Sequence, residues 1–188
     1  MGRRSGPTLT RDDILDAAGR VLLAEGAAAV GTAAVARKLG VRAPSLYWHF
    51  AGNDALRLAL AIRGWDGLVA SLPPPCADAA GTLRGFALAY RGWAIANAPM
   101  YRLMTSTPFD PTDSALLGLT ARVAGSLTGL ALPPGELIHA VRGLRSTVHG
   151  FVDLELAGQL ALAIPPDESF DWLIDVVVRG AVRRDTIS

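Results

Sequence analysis

Cysteine occurs once in these 188 residues, so no disulfide can close within the chain. Cys76 stands beside Pro73-Pro74-Pro75 with no second cysteine and no nearby histidine, which leaves a thiolate metal site without partners. A reducing cytoplasm is the expected location. The three histidines are scattered at 49, 139 and 149, so no zinc site is expected, and nothing calls for a cofactor. Enzyme signatures are missing as well: there is no His-Glu-x-x-His, no phosphate-cradling glycine loop and no Gly-x-Ser-x-Gly elbow, and an enzyme is not expected. The start, Met1-Gly2-Arg3-Arg4-Ser5-Gly6-Pro7, lacks the apolar stretch of a secretory leader. Charge-free runs such as Val123 to Gly135 are too short to span a bilayer and contain prolines, so no membrane association is expected. No stretch alternates Val, Ile and Thr long enough for a sheet, and no repeat of fixed period occurs.

Charge is sparse, with 19% Asp, Glu, Lys and Arg and a net charge of +1. Its distribution is uneven. Residues 1–54 carry seven basic against five acidic side chains, whereas residues 55–188 carry eleven against twelve. The N-terminal part is thus mildly basic, an excess small enough that tight nucleic-acid binding would need two such heads, helped by Arg3 and Arg4 near phosphates.

What is abundant is apolar surface, 51% of residues, in a helical pattern with enough length for a small and a medium helical unit. Thr10-Arg11-Asp12-Asp13 forms a capping box, followed by Ile14, Leu15, Ala18, Val21 and Leu22 at helical spacing up to Gly26. A second helix runs from Thr32, which can cap it, to Leu39, where Gly40 allows the exit. A longer one covers Asn53 to Leu72, stopped by Pro73 to Pro75. Further helices are expected over Asp78–Asn97, Pro99–Thr105, Thr112–Leu130, Gly135–Ala163 and Ser169–Arg184, broken at Pro108 to Pro111, Pro133-Pro134 and Pro165-Pro166.

The densest signal is Gly40-Val41-Arg42-Ala43-Pro44-Ser45-Leu46-Tyr47-Trp48-His49-Phe50. It holds a helix stop, a sharp turn and a short helix opened by Pro44. Ala36 is small enough for that helix to approach the preceding one, and Leu46 can plug the angle between them. The pair reads as a helix-turn-helix whose second element enters the major groove. Thr32 offers a hydroxyl and amides to a phosphate, and Tyr47 and His49 suit backbone oxygens. Arg42 is the candidate for guanine, Ser45 and Trp48 for base edges or sugars, and Ala43 and Pro44 for thymine methyls. Leu46, Phe50 and one face of Tyr47 are assigned to the core.

Thr32 to Leu56, preceded by Thr10 to Glu25, resembles the N-terminal domain of tetracycline-repressor-like (TetR) transcriptional regulators. Leu-Gly-Val, Leu-Tyr-Trp-His-Phe and Asn53-Asp54-Ala55-Leu56 follow one another in that family's order. The resemblance implies DNA contacts at Ala43, Pro44, Ser45, Tyr47, Trp48 and His49. The family often has Lys where this chain has Asn53 and sometimes Arg where it has Ala33, changes that weaken its grip. Thr147 to Glu155 more weakly resembles the ligand-binding domains of a TetR subgroup with a His-Gly-apolar-x-x-Leu-Glu run.

The fold expected is therefore all-α, with a three-helix helix-turn-helix domain over 1–52 and a helical ligand-binding and dimerisation domain over 53–188. At 100° per residue, Ala140, Gly143, Thr147, Gly150, Leu154 and Ala161 share a small-residue stripe. Leu137, Val141, Leu144, Val148, Phe151 and Val152 form a broad apolar face. Three glycines, at 143, 150 and 158, each cost about 1 kcal/mol against Ala in a helix interior, which close backbone approach would offset. The expected homodimer joins 135–163 and 169–184 of two chains in a four-helix interface like the family's, with packing inside one subunit as the alternative.

For a small-molecule effector the candidates are Trp93, Met100, Tyr101, Met104 and Phe109, with Trp65 and Phe86 nearby in type, though each also suits a core. Arg145 and Glu155 fall within the broad apolar face and need partners, either a ligand or a residue such as Asp171 or Arg179. His149, one turn from Asp153, is a further ligand candidate. The function implied by the resemblance is a cytoplasmic repressor that leaves its double-stranded operator when a small apolar or amphipathic effector moves the Asn53–Leu72 helix. The alternative is a helical small-molecule-binding or partner-binding protein with a vestigial head.

Overall fold

The computed structural model describes residues 9–109, 121 and 134–182, and every regular element among them is helical. The helices are α1 (Arg11–Glu25), α2 (Thr32–Leu39), α3 (Asn53–Ser71), α4 (Ala79–Ala96), α5 (Ala98–Ser106), α6 (Pro134–Leu156) and α7 (Pro166–Val182), with 3-10 turns at Ala27–Ala29 and Ala43–Leu46. The helix expected over Thr112–Leu130 lies outside the described residues, apart from residue 121.

By contact the chain forms two compact units. One contains the described residues up to Trp65 together with Pro99 to Phe109, and the other contains Asp66 to Ala98 and the described residues beyond 133. The boundary by contact therefore falls within α3, and α5 joins the N-terminal unit. That unit has one core. Ile14, Leu15, Ala18, Val21 and Leu22 of α1 are buried as their spacing predicts, with Val35 and Ala36 of α2, Leu46, Phe50, Leu56 and Leu60, and Leu103 of α5 closes it.

Local signals set the head's helix ends. Thr10 Oγ accepts from the Asp13 N–H at 3.1 Å, and Asp13 Oδ2 accepts from the Thr10 N–H at 2.9 Å and from its hydroxyl at 2.6 Å. Those bonds hold the Asp13 carboxyl below the usual carboxylate range. Gly40 adopts φ +69°, so its N–H reaches Arg37 O and the Val41 N–H reaches Ala36 O, which satisfies carbonyls that the end of α2 leaves open.

In the second unit α6 and α7 pack against α4. Leu144, Val148 and Val152 are buried, at the four-residue spacing that the apolar face of α6 predicts. The helix is shorter than expected, ending at Leu156 instead of Ala163. Gly158 adopts φ +70°, its N–H bonds Glu155 O, and the Gln159 N–H bonds Leu154 O, each at 2.9 Å. A glycine read as part of a packing stripe is thus the residue that terminates the helix. Gly143 and Gly150 lie on the exposed side, where an added Cβ would meet nothing within 4 Å.

The charges on α6 also resolve differently from the sequence expectation. Glu155 pairs with Arg91 of α4, whose Nε and Nη2 donate to the two carboxylate oxygens at 2.8 and 2.6 Å. Arg91 Nη2 also reaches Asp167 at 2.6 Å, and its guanidinium sits 4.9 Å from the Phe170 ring and 5.6 Å from Phe151. The Glu155 bond, opposed by burial and helped by Asp167, holds the guanidinium protonated more firmly than usual. Asp171 is bound to Arg84, which also reaches Asp175, and Arg145 is exposed at the edge of the apolar strip.

The Arg91–Glu155 side chains are largely buried, so removing one leaves the other charge poorly solvated. Arg91→Ala is expected to lower stability by about 3 kcal/mol, whereas replacing both partners by Met recovers most of that loss. Urea unfolding of the full chain checks this. A double variant no more stable than the single one contradicts it.

Candidate nucleic-acid interface

The 3-10 turn Ala43–Leu46 and the three residues after it are arranged by two apolar anchors. Leu46 is fully buried and Phe50 nearly so, and both enter the head core. The residues between them are forced outward, leaving Tyr47 57% and Trp48 92% exposed. Arg42, Pro44 and Ser45 are exposed on the same turn, while Ala43 and His49 are half-buried. Tyr47, expected to give one face to the core, is covered over less than half of its surface. A tryptophan left in water costs stability, so an interface that covers it is the natural reading.

Thr32 is placed differently from the expectation that it caps α2. Gly31 occupies the cap position and Thr32 is the first helical residue, 4% exposed. The cap comes from Asn53, whose Oδ1 accepts from the Thr32 N–H at 2.8 Å and from its hydroxyl at 3.0 Å. A backbone N–H only donates, so the Asn53 atom facing it must be the oxygen. The side chain of Asn53 thereby ties the start of α3 to the start of α2 across the turn between them.

A residue that the sequence reading passed over stands at the other end of the turn. Arg11 Nη1 donates to the His49 carbonyl at 2.9 Å, and its guanidinium carbon lies 4.2 Å from the centre of the Phe50 ring. Arg11 and His49 are 38 positions apart, and no local pattern announces that pairing. The one available signal was an arginine in the first turn of a helix, where the helix dipole disfavours a cation and some other partner is needed.

Residues 14–60 match the family model described as bacterial regulatory proteins of the tetR family, and residues 83–177 match the tetracyclin repressor-like C-terminal domain, which alone spans half of the chain. The chain belongs to the TetR family. Its relatives include the uncharacterised HTH-type transcriptional regulator YobS of Bacillus subtilis, 34% identical over 155 residues and covering 78% of each chain. Another is an uncharacterised HTH-type transcriptional regulator of Mycobacterium tuberculosis, 30% identical over 187 residues, covering 95% of this chain and 84% of that one. Among solved structures, a substituted TetR from Acinetobacter baumannii in complex with minocycline superposes with a TM-score of 0.73 at 25% identity, over 93% of this chain and 97% of that chain. This TetR-family protein is accordingly a DNA-binding transcriptional regulator and not an enzyme. The C-terminal match includes the Thr147–Glu155 run.

The residues considered for an effector fall into both units of the TetR chain. Met100, Tyr101, Met104 and Phe109 belong to the first. Tyr101 and Met104 are buried, and an added Cβ at Gly64 would come within 2.6 Å of the Met104 sulfur and 2.8 Å of Met100 Cγ. These methionines fill the crossing of α3 and α5, while Phe109 lies 6.4 Å from Trp65, centre to centre. Trp93, Arg145 and His149 belong to the second unit, where half-buried Trp93 packs over Gly67 of α3. Phe86 is in that unit's core. No helix among the described residues is long and apolar enough to cross a membrane.

Because the N-cap residue Gly31 offers no side chain and Asn53 supplies the bond at the N-terminus of α2, Asn53→Ala is expected to lower the stability of the head by about 1 kcal/mol. Asn53→Asp keeps an acceptor at the helix N-terminus and is expected to stay within a few tenths of a kcal/mol of the natural protein. Thermal unfolding followed by circular dichroism distinguishes the two. Equal losses in both variants contradict the capping role.

Proposed function

We propose that this TetR-family protein is a cytoplasmic homodimeric repressor whose two heads read an inverted operator in double-stranded DNA and release it when a small apolar or amphipathic effector binds. The observation that carries the reading half of this proposal is Trp48, held almost wholly in water between the buried Leu46 and Phe50. In the proposed complex Arg42 reads guanine, and Ala43 and Pro44 meet thymine methyls. Ser45 and Trp48 touch base edges or sugars, and Tyr47 and His49 hold the phosphate backbone. Asn53 acts at the phosphates beside α2 with its amide NH2 as the outward donor, whereas Thr32, expected from the sequence to meet a phosphate itself, is buried and already gives its N–H and hydroxyl to Asn53, so it holds that side chain in place. Residues 1–52 serve as the DNA-binding domain and 53–188 as the effector-binding and dimerisation domain.

Dimerisation through 135–163 and 169–184 is supported by apolar side chains left in solvent on both helices. Trp172 is 67% exposed and Val176 and Leu154 are also exposed, while Gly143 and Gly150 present bare backbone on the Leu154 side of α6. A dimer would cover this surface and fix the spacing of the heads. The effector reading draws on the minocycline complex of the Acinetobacter baumannii relative and on the aromatic and sulfur-bearing side chains of this chain. Trp93, Met100, Tyr101, Met104, Phe109, Arg145 and His149 are its proposed contacts. An effector that favours one setting of α3 lowers operator affinity by the ratio of its own affinities for the two settings.

Replacing Tyr47 and Trp48 together by Ala is expected to abolish selective DNA binding, read by fluorescence anisotropy, with helicity unchanged. Retained selectivity refutes the assignment of the turn. Trp172→Glu combined with Leu154→Glu is expected to give a monomer in sedimentation at micromolar concentration and to weaken operator binding at least about tenfold. A dimer that survives both charges places the interface elsewhere.

A further inference from the structure

We propose that Arg11 is a positioning residue for DNA reading, its guanidinium fixing the end of the 3-10 turn and hence the direction in which Trp48 points. The turn has little strength of its own. Its backbone bonds are Ser45 N–H to Arg42 O at 2.9 Å, Tyr47 N–H to Pro44 O at 3.3 Å, and the His49 and Phe50 N–H groups converging on Leu46 O at 2.9 Å. A 3-10 segment this short has poor hydrogen-bond geometry and would fray at its end if nothing outside it intervened. The His49 carbonyl, directly after Trp48, is where an outside group takes hold. Arg11 donates to it and covers the Phe50 ring with the same planar group.

One side chain thus grips both the last polar atom of the turn and the apolar anchor that holds it to the core. Arginine suits this because its donors lie in the plane that stacks; a lysine keeps the charge but has neither the plane nor the fork. Arg11 is itself held, as the first residue of α1, immediately after Thr10 and two before Asp13, the two residues of the capping box. A rigid start of α1 is in this way transmitted to the reading turn. Trp48, 92% exposed, is covered too little to be held in one direction if the His49–Phe50 peptide, whose carbonyl Arg11 holds, turned beside it.

The inference rests on the turn being the DNA-reading element, and its test separates the two claims. Full-length protein is titrated into two labelled duplexes: one enriched from a random library by the natural protein, the other a scramble of it. Arg11→Ala and Arg11→Lys are each expected to weaken the enriched duplex about tenfold, while affinity for the scramble and the slope of log affinity against log salt stay as in the natural protein. Amide exchange in Arg11→Ala is expected to quicken at Tyr47 to Phe50, with α1 and α3 protected as before.

Rescue by Lys overturns the proposal, as does a loss on both duplexes with a salt slope shallower by about one, which would make Arg11 a phosphate contact. Natural affinity in Arg11→Ala also overturns it, and so does lost protection throughout α1 and α3, which would make the contact a general support of the fold. Trp48→Ala serves as the control. If it binds the enriched duplex normally, the reading of the turn itself fails; if it fails while both Arg11 variants bind normally, only the role of Arg11 is lost.

Discussion

The insertion of Leu46 and Phe50 into one small core is the constraint on which the interface depends. Four residues apart, both are drawn inward by the apolar surfaces of α1, α2 and α3, and the chain between them runs along the surface. Tyr47 and Trp48 are exposed as a consequence. The hydrophobic effect thereby presents two aromatic groups to solvent at the cost of leaving a tryptophan wet, a cost that covering the surface would recover. Hydrogen bonds then refine what burial has set. Asn53 fastens the start of α2 to that of α3, and Arg11 fastens the end of the turn to α1.

The second unit uses polar pairing differently. Arg91 lies between Glu155, Asp167 and two phenylalanine rings, and Arg84 between Asp171 and Asp175, so α4 is tied by charge to both α6 and α7. Arg91–Glu155, the one largely buried pair among these, adds less net stability than its short distances suggest, because both ions were well solvated before folding. It does fix register, since sliding α4 by a turn would leave Glu155 without its cation. The opposite faces of α6 and α7 carry Leu154, Trp172 and Val176 in solvent.

What could be read from the sequence follows the range of the interaction. The capping box at Thr10, the stop at Gly40, the opening of the turn at Pro44 and the inward placement of Leu46 and Phe50 depend on residues within a few positions of one another, and all of them stand in the structure. The bonds from Asn53 to Thr32, Arg11 to His49 and Arg91 to Glu155 join residues 21, 38 and 64 positions apart. Helical periodicity shows that Glu155 needs a partner but not which arginine comes round to it. Gly158 was misread for another reason. Its place in a stripe of small residues and its place two residues beyond a helix end are both consistent with the pattern, and only the backbone angle decides between them.

In the proposed complex an exposed tryptophan turn, presented twice by a dimer, reads DNA. Selection of fragments from random duplex DNA by the purified full-length protein, followed by sequencing, tests it most directly. The account predicts enrichment of two inverted half-sites at a fixed separation of about one or more helical turns. A bound pool with no enriched sequence, or with a single half-site lacking an inverted mate, contradicts it.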